Sequence, residues 1–239
     1  MEKVQIGQLG FCNTDMDGAL KELGNFLNSG RANIVVTPNA EIAYLATKDE
    51  NLRDMINNAD LTVCDGSGVL LASKLIKKPL PQKIAGIELG YNFLKVLETE
   101  GKSLFLLGAA PGIADKAANN LQKDFPGLKI SGTNDGFFKN PDDVIEIINK
   151  AGAEVLYVCL GAVKQEEFMY YAKDRLTTLR VMIGLGGSID VFAGAAKRAP
   201  KIFIKLHLEW LYRIVRHPSR IGRAIRLPLY IIHILRFRG

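Results

Sequence analysis

The chain holds only three cysteines, three histidines and one tryptophan among 239 residues. Cys12, Cys64 and Cys159 are scattered, odd in number and never spaced as CxxC. That usage argues against a disulfide framework and for reduced, buried thiols in a cytosolic protein. No HExxH or paired His/Cys spacing occurs, and His207, His217 and His233 all fall near the C-terminus. A structural metal site is therefore not expected. Long apolar stretches are missing too. Residues 227–235 form the longest in the C-terminal region, yet they contain Pro228 and His233 and fall well short of the roughly twenty residues that span a bilayer. Residues 1–10 lack the apolar core of a secretory leader.

Acidic residues are scarce in one region only. Residues 195–239 carry eleven Lys/Arg against a single acid, Glu209, a net charge of +10, whereas the whole chain carries +6 and residues 1–194 therefore −4. Arg213, Arg216, Arg220, Arg223 and Arg226 recur at helical spacing, with Trp210, Leu211, Ile214, Ile221, Ile225 and Leu227 between them. Such a basic amphipathic segment suits an anionic membrane surface. The alternatives are a solvated or self-paired appendage and a nucleic-acid contact. The aliphatic density of the segment speaks against the second, so nucleic acid is not an expected partner. The apolar face of the tail has three possible covers: the body, a neighbouring copy in a homo-oligomer, or lipid. The expected division is an α/β body over residues 1–194 and a basic amphipathic C-terminal appendage over residues 195–239.

In the body, apolar runs at 33–37, 61–65, 103–108, 128–131, 154–161 and 180–184 read as strands covered on both faces. Segments of helical period fall between them at 15–28, 49–58, 86–100, 111–125 and 141–150. Alternation at this spacing predicts right-handed βαβ units and a Rossmann-like parallel sheet. Ligands of open α/β sheets collect beyond the carboxyl ends of the strands. There the chain places six polar or glycine-rich turns, among them those at Thr37-Pro38-Asn39, Asp65-Gly66, Gly108, Gly136, Gly161 and Gly184-Leu185-Gly186-Gly187. Glycine lets backbone N–H groups approach a phosphate or sugar, so the set predicts a nucleotide or nucleotide-sugar crevice. Residues 108–112 depart from GxGxxG, which argues against a dinucleotide oxidoreductase.

Individual residues admit two roles each. Asp65, at the mouth of a strand, suits either a general base or the N-cap of the next helix. Thr37 suits a cap or a ligand contact, and Asn39 a hydrogen bond to a sugar. Gln165 either opens a helix or faces the crevice. Asp190 either caps a helix or touches a nucleotide.

Taken together, Thr37-Pro38-Asn39, Asp65-Gly66 with Gly68, Gly161-Ala162-Val163-Lys164-Gln165-Glu166, Gly184-Leu185-Gly186-Gly187 with Asp190, Lys197-Arg198-Ala199-Pro200 and Glu209-Trp210-Leu211-Tyr212-Arg213 with Pro218 and Arg220 resemble the cleft motifs of the WecG/TagA/CpsF family of bacterial glycosyltransferases. The resemblance covers nearly the whole chain. It implies a metal-independent, cofactor-free, inverting transfer of N-acetylmannosamine from its UDP-sugar to undecaprenyl-diphosphate-linked N-acetylglucosamine. The product would be the β-1,4-linked linkage-unit disaccharide of wall teichoic acid. Relatives using a mannosaminuronic acid or glucose-type UDP-sugar leave the donor open. By the same resemblance Asp65 is the general base, Thr37, Asn39 and Gln165 hold sugars, and Gly108, Gly136, Gly186, Gly187 and Asp190 surround the uridine diphosphate. Arg213, Arg220 and Arg223 would reach the diphosphates as the tail closes at the inner face of the cell membrane. Two positions depart from the family pattern. Val163 stands where proline is expected. Lys83 replaces an arginine, keeping the charge toward a phosphate without the bidentate fork.

Overall fold

The computed structural model describes residues 1–200, 202, 203, 210–212, 222 and 225–236. A hairpin of β1 (Lys3–Ile6) and β2 (Leu9–Cys12) precedes α1 (Met16–Phe26). The main sheet contains β3 (Asn33–Val36), β4 (Leu61–Thr62), β5 (Ser103–Gly108), β6 (Lys129–Asn134), β7 (Val155–Cys159) and β8 (Val181–Gly184). All its pairings are parallel, in the order β4-β3-β8-β7-β5-β6. The connecting helices are α2 (Ala40–Ala46), α3 (Glu50–Asn57), α4 (Ser67–Leu75), α5 (Gly86–Glu100), α6 (Ile113–Asp124), α7 (Pro141–Ala151), α8 (Lys164–Ala172) and α9 (Ser188–Phe192). A last helix, α10 (Arg226–Arg236), closes the described chain.

Alternation along each strand divides the core in two. Ile34, Val36, Phe105, Leu107, Leu156, Val158 and Met182 pack on one face with α2, α3, α7, α8 and the hairpin. Val35, Leu104, Leu106, Val155, Tyr157, Val181 and Ile183 pack on the other with α1, α5, α6 and α9. Side chains one residue apart on a strand point to opposite faces, so strands with helices on both sides must be apolar throughout. The continuous Val/Ile/Leu runs are thus explained, and the doubly covered parallel sheet agrees with the expected fold.

The connection after β5 runs outward to β6, whereas the one after β7 returns to β8. The chain therefore reverses direction between β5 and β7, where doubly wound sheets open a crevice at their carboxyl edge.

Strand lengths depart from the sequence reading. The ladder of β4 ends at Thr62, although the Val63 N–H still donates to the Val36 carbonyl oxygen at 3.0 Å. β6 runs on to Asn134, because an edge strand is only half covered and tolerates Gly132, Thr133 and Asn134.

The final helix lies against the body. Tyr230 and Ile234 are buried in the same core as α2 and α4, with Leu227 and Ile231 packed beside them. Arg226 pairs with Glu41 of α2 at 2.7 Å, and a Cβ on Gly68 of α4 would stand 3.3 Å from the Leu227 Cγ. Burial raises the Tyr230 hydroxyl pKa, and the nearby Cys64 adds to the effect.

At the amino end of the edge strand β4, Asp60 holds the strand's start. Its carboxylate accepts from the Ile34 N–H at 2.9 Å and from Arg31 at 2.6 Å, with Lys173 at 3.6 Å. Burial alone would raise its pKa, but the Arg31 and Ile34 hydrogen bonds and the charges of Lys173 and Arg31 hold it below the ordinary value. Its contribution is therefore present above the unfolded aspartate value of about 3.9 and is lost as pH falls through the lower folded value. Asp60→Asn is expected to cost about 1–3 kcal/mol at neutral pH. In denaturant titrations across pH, the gap from the parent should close in acid; a constant gap contradicts this role.

Candidate active site

The site begins where β3 ends. Thr37 is buried and donates its hydroxyl hydrogen to the Gly184 carbonyl oxygen, 2.8 Å away at the end of β8. The cap of α2 is Asn39 rather than Thr37, its Oδ1 accepting from the Glu41 and Ile42 N–H groups at 2.9 and 3.1 Å.

Asp65 lies half-buried in the loop after β4, its N–H donating to the Pro38 carbonyl oxygen at 3.3 Å. The N-cap position of α4 falls on Gly66, at φ 91° and ψ 156°, one residue past Asp65. A Cβ at Gly66 would stand 3.6 Å from the Asn39 Cβ, so the loops after β3 and β4 touch. The segment leading into α5 runs alongside. Ile84 N–H donates to the Cys64 carbonyl oxygen at 2.8 Å, and a Cβ on Gly86 would lie 2.9 Å from the Thr37 hydroxyl. Cys64 senses its charged neighbours. Burial, with the Asp65 carboxylate adding to it, pushes the thiol up to about 12, while Lys83 pulls the other way. Thr37, Asn39, Asp65 and Lys83 thus share one neighbourhood.

The turns after β7 and β8 form a second group joined to the first through Thr37. Gln165 and Glu166 are 2% and 1% exposed. The Gly186 N–H donates to Gln165 Oε1 at 3.0 Å, Gln165 Nε2 donates to Glu166 Oε1 at 2.8 Å, and the Val163 N–H donates to Glu166 Oε2 at 2.8 Å. Burial pushes the Glu166 carboxyl up, and the hydrogen bonds from Gln165 and Val163 counter it. Val163 sits at φ 72° and ψ −59°, the rare γ-turn conformation that strains a β-branched residue. Proline, locked near φ −65°, is unable to adopt it, so the proline that the resemblance implies at this position would require a different turn.

Gly108 and Gly136 line the β5 and β6 side. Gly108 has φ 138°, and a Cβ there would meet the Cys159 carbonyl oxygen at 2.3 Å, so only glycine fits. The Gly136 N–H donates to the Ala109 carbonyl oxygen at 2.9 Å, and the Gly136 carbonyl oxygen accepts from Lys164 Nζ at 2.8 Å. Gly186, at φ 56°, and Gly187 lead into α9. Asp190 lies in the first turn of α9, where it also bears on the buried Cys159 thiol. The Ala195 and Ala196 N–H groups return to the Asp190 carbonyl oxygen at 2.9 Å each, fixing the start of the tail. Arg198 then pairs with Glu88 in the first turn of α5.

Arg213, Arg220 and Arg223 lie outside the described residues. Among the described residues no group of three or more His, Cys, Asp or Glu side chains is arranged to hold a metal ion. In the sequence, Glu166 reads only as an acid complementing a helix dipole, and an Arg198–Glu88 pair is not foreseen. Only the Lys197-Arg198-Ala199-Pro200 motif hinted at the latter.

A parallel doubly wound sheet, with glycine turns along its carboxyl edge and a carboxylate at their lip, defines a Rossmann-like α/β protein whose crevice suits a nucleotide-linked ligand. Residues 4–238 match the Glycosyl transferase WecG/TagA/CpsF family, and the chain belongs to that family. It is 35% identical over 237 residues, 99% of this chain and 92% of the relative, to an N-acetylglucosaminyldiphosphoundecaprenol N-acetyl-beta-D-mannosaminyltransferase of Bacillus spizizenii. A transferase of the same name from Staphylococcus aureus strain MRSA252 is 35% identical over 234 residues, 97% of this chain and 92% of the relative.

Proposed function

We propose that the protein transfers N-acetylmannosamine from UDP-N-acetylmannosamine to the 4-hydroxyl of N-acetylglucosamine on undecaprenyl diphosphate, making the β-1,4-linked disaccharide of wall teichoic acid linkage units. The near-full-length match to transferases of that name carries this reading. Asp65 takes the proton of the acceptor hydroxyl as its oxygen bonds to the anomeric carbon, and the bond to the diphosphate breaks on the opposite face, releasing UDP. One displacement inverts the configuration. Lys83 and Arg213, Arg220 and Arg223 of the tail meet the departing negative charge, and the turns at Gly108, Gly136, Gly186 and Gly187, bare of side chains, let the diphosphate approach the backbone. Thr37 and Asn39 border the sugars, Gln165 shapes the same pocket, and Asp190 borders the nucleotide. The transfer proceeds without a metal ion or cofactor.

A lipid-linked acceptor supports reaction at a bilayer, and we assign it to the inner face of the cell membrane. No described helix is long and apolar enough to cross one. Peripheral contact is supported by two helices that pack on each other. Ile225, Leu229, Ile232 and Leu235 form an exposed stripe on α10 and the turn before it, while Leu71 and Leu75 form another on α4. Apolar insertion beside basic residues is how interfacial helices bind anionic lipid.

The test is incubation with a panel of UDP-sugars and a short-chain lipid-diphosphate-N-acetylglucosamine, followed by product mass. A gain of one N-acetylhexosamine from UDP-N-acetylmannosamine, and not from UDP-glucose or UDP-N-acetylmannosaminuronic acid, is expected. Preferential use of either of the latter overturns the donor assignment.

A further inference from the structure

We infer that Glu166 is a positioning residue for the donor side of the crevice: through Gln165 its buried carboxyl locks the turns after β7 and β8 into one rigid cradle for a uridine diphosphate. The inference rests on reading this crevice as the nucleotide-sugar site.

The hydrogen bonds leave little freedom. Glu166 offers only acceptors, and its two oxygens take the Val163 N–H at one end and the Gln165 amide at the other. Gln165 must then turn its own oxygen toward the Gly186 N–H. The relay ties residue 163 to residue 186 and aligns two loops from neighbouring strands. Thr37 extends it to β3 through the Gly184 carbonyl oxygen. Packing admits no slack, because a Cβ on Gly184 would stand 2.9 Å from Gln165 Nε2.

The backbone of Val163 shows how firmly the relay holds its turn. A β-branched residue at φ 72° persists only where its surroundings over-determine it. Here the Glu166 carboxylate holds the Val163 N–H, and α8 begins immediately afterwards. A carboxylate with almost no exposure is costly to keep. Its place between the turns after β7 and β8 is what holding both loops in one arrangement requires.

Amide chemistry gives a sharp test. In Glu166→Gln, one donor faces another whichever way the two amides turn: at Val163, between the side chains, or at Gly186. The swap Gln165→Glu with Glu166→Gln reverses the central bond and satisfies every group, since residue 165 then accepts from Gly186 and from residue 166, which accepts from Val163.

The dissociation constant for UDP, KM and kcat should be measured for both variants beside the parent, with melting temperature and amide exchange at Val163 and Gly186. The single variant is expected to weaken UDP binding and raise KM for the UDP-sugar by about tenfold, with kcat much less affected. The swap should restore UDP affinity to within about threefold and slow both amides again. A single variant that binds UDP like the parent overturns the inference, as does a swap no better than the single variant. Failure of the parent itself to bind UDP overturns the donor-site reading, and this inference with it.

Discussion

Asp65→Asn is expected to lower turnover by on the order of a hundredfold or more while leaving the fold intact. Asparagine keeps the shape of the side chain and the backbone bond from the residue 65 N–H to the Pro38 carbonyl oxygen. It removes the carboxylate proposed to take the acceptor's proton. Helix capping is the rival role, but the cap position of α4 is Gly66. A cap lost to an amide costs little, since Asn and Asp cap comparably. Steady-state transfer measured beside melting temperature separates the roles. A large fall in kcat with an unchanged melt is the expected pair, and near-normal turnover contradicts a general base at this position.

Removal of the chain after Gly194 should abolish transfer to a lipid-linked acceptor and also weaken the body. Two losses act together. The arginines proposed to meet the diphosphates, Arg213, Arg220 and Arg223, are removed, and each lost donor to a developing charge costs about a hundredfold or more in rate. The truncation also strips α10 from α2 and α4, uncovering the surface that buries Tyr230 and Ile234. Burying two such side chains stabilises by about 1.5–3 kcal/mol each. The tail, whose apolar face the sequence leaves to be covered by the body, a neighbouring copy or lipid, thus has one face in the core, so truncation is expected to promote aggregation rather than solubility. The replacements Leu229→Ser and Ile232→Ser separate the effects. Both positions are exposed, at 37% and 48%. The doubly substituted protein should melt like the parent yet lose cosedimentation with anionic liposomes. A truncated chain with full activity on the lipid-linked acceptor contradicts the role of the tail.

The strands of the sheet were legible because each must be apolar on both faces, and Val, Ile and Leu runs such as those in β3, β5 and β7 mark that condition. The hairpin at Lys3–Ile6 and Leu9–Cys12 was not, since four-residue strands offer too few positions for a period to register. β6 was read short because half-covered polar residues carry no apolar signal. In the site, Asp65 and the glycine turns stood out as residue types at strand ends. What Thr37 and Gln165 bond to was invisible, because their partners, Gly184 and Gly186, lie 147 and 21 residues away in sequence. Glu166 was hidden for the opposite reason. An acid in a first helical turn ordinarily complements the dipole in solvent, and only the packing of β8 beside β7 buries it.

The proposed transfer requires Asp65 to face the sugar acceptor across a crevice holding a uridine nucleotide. A crystal structure with UDP and an acceptor analogue measures this directly, as the distance from the Asp65 carboxylate to the acceptor 4-hydroxyl. Hydrogen-bond reach, about 2.6–3.2 Å, is expected, with the diphosphate on the opposite side against the glycine turns. A carboxylate turned away from the crevice, or a nucleotide bound far from it, overturns the general-base role of Asp65.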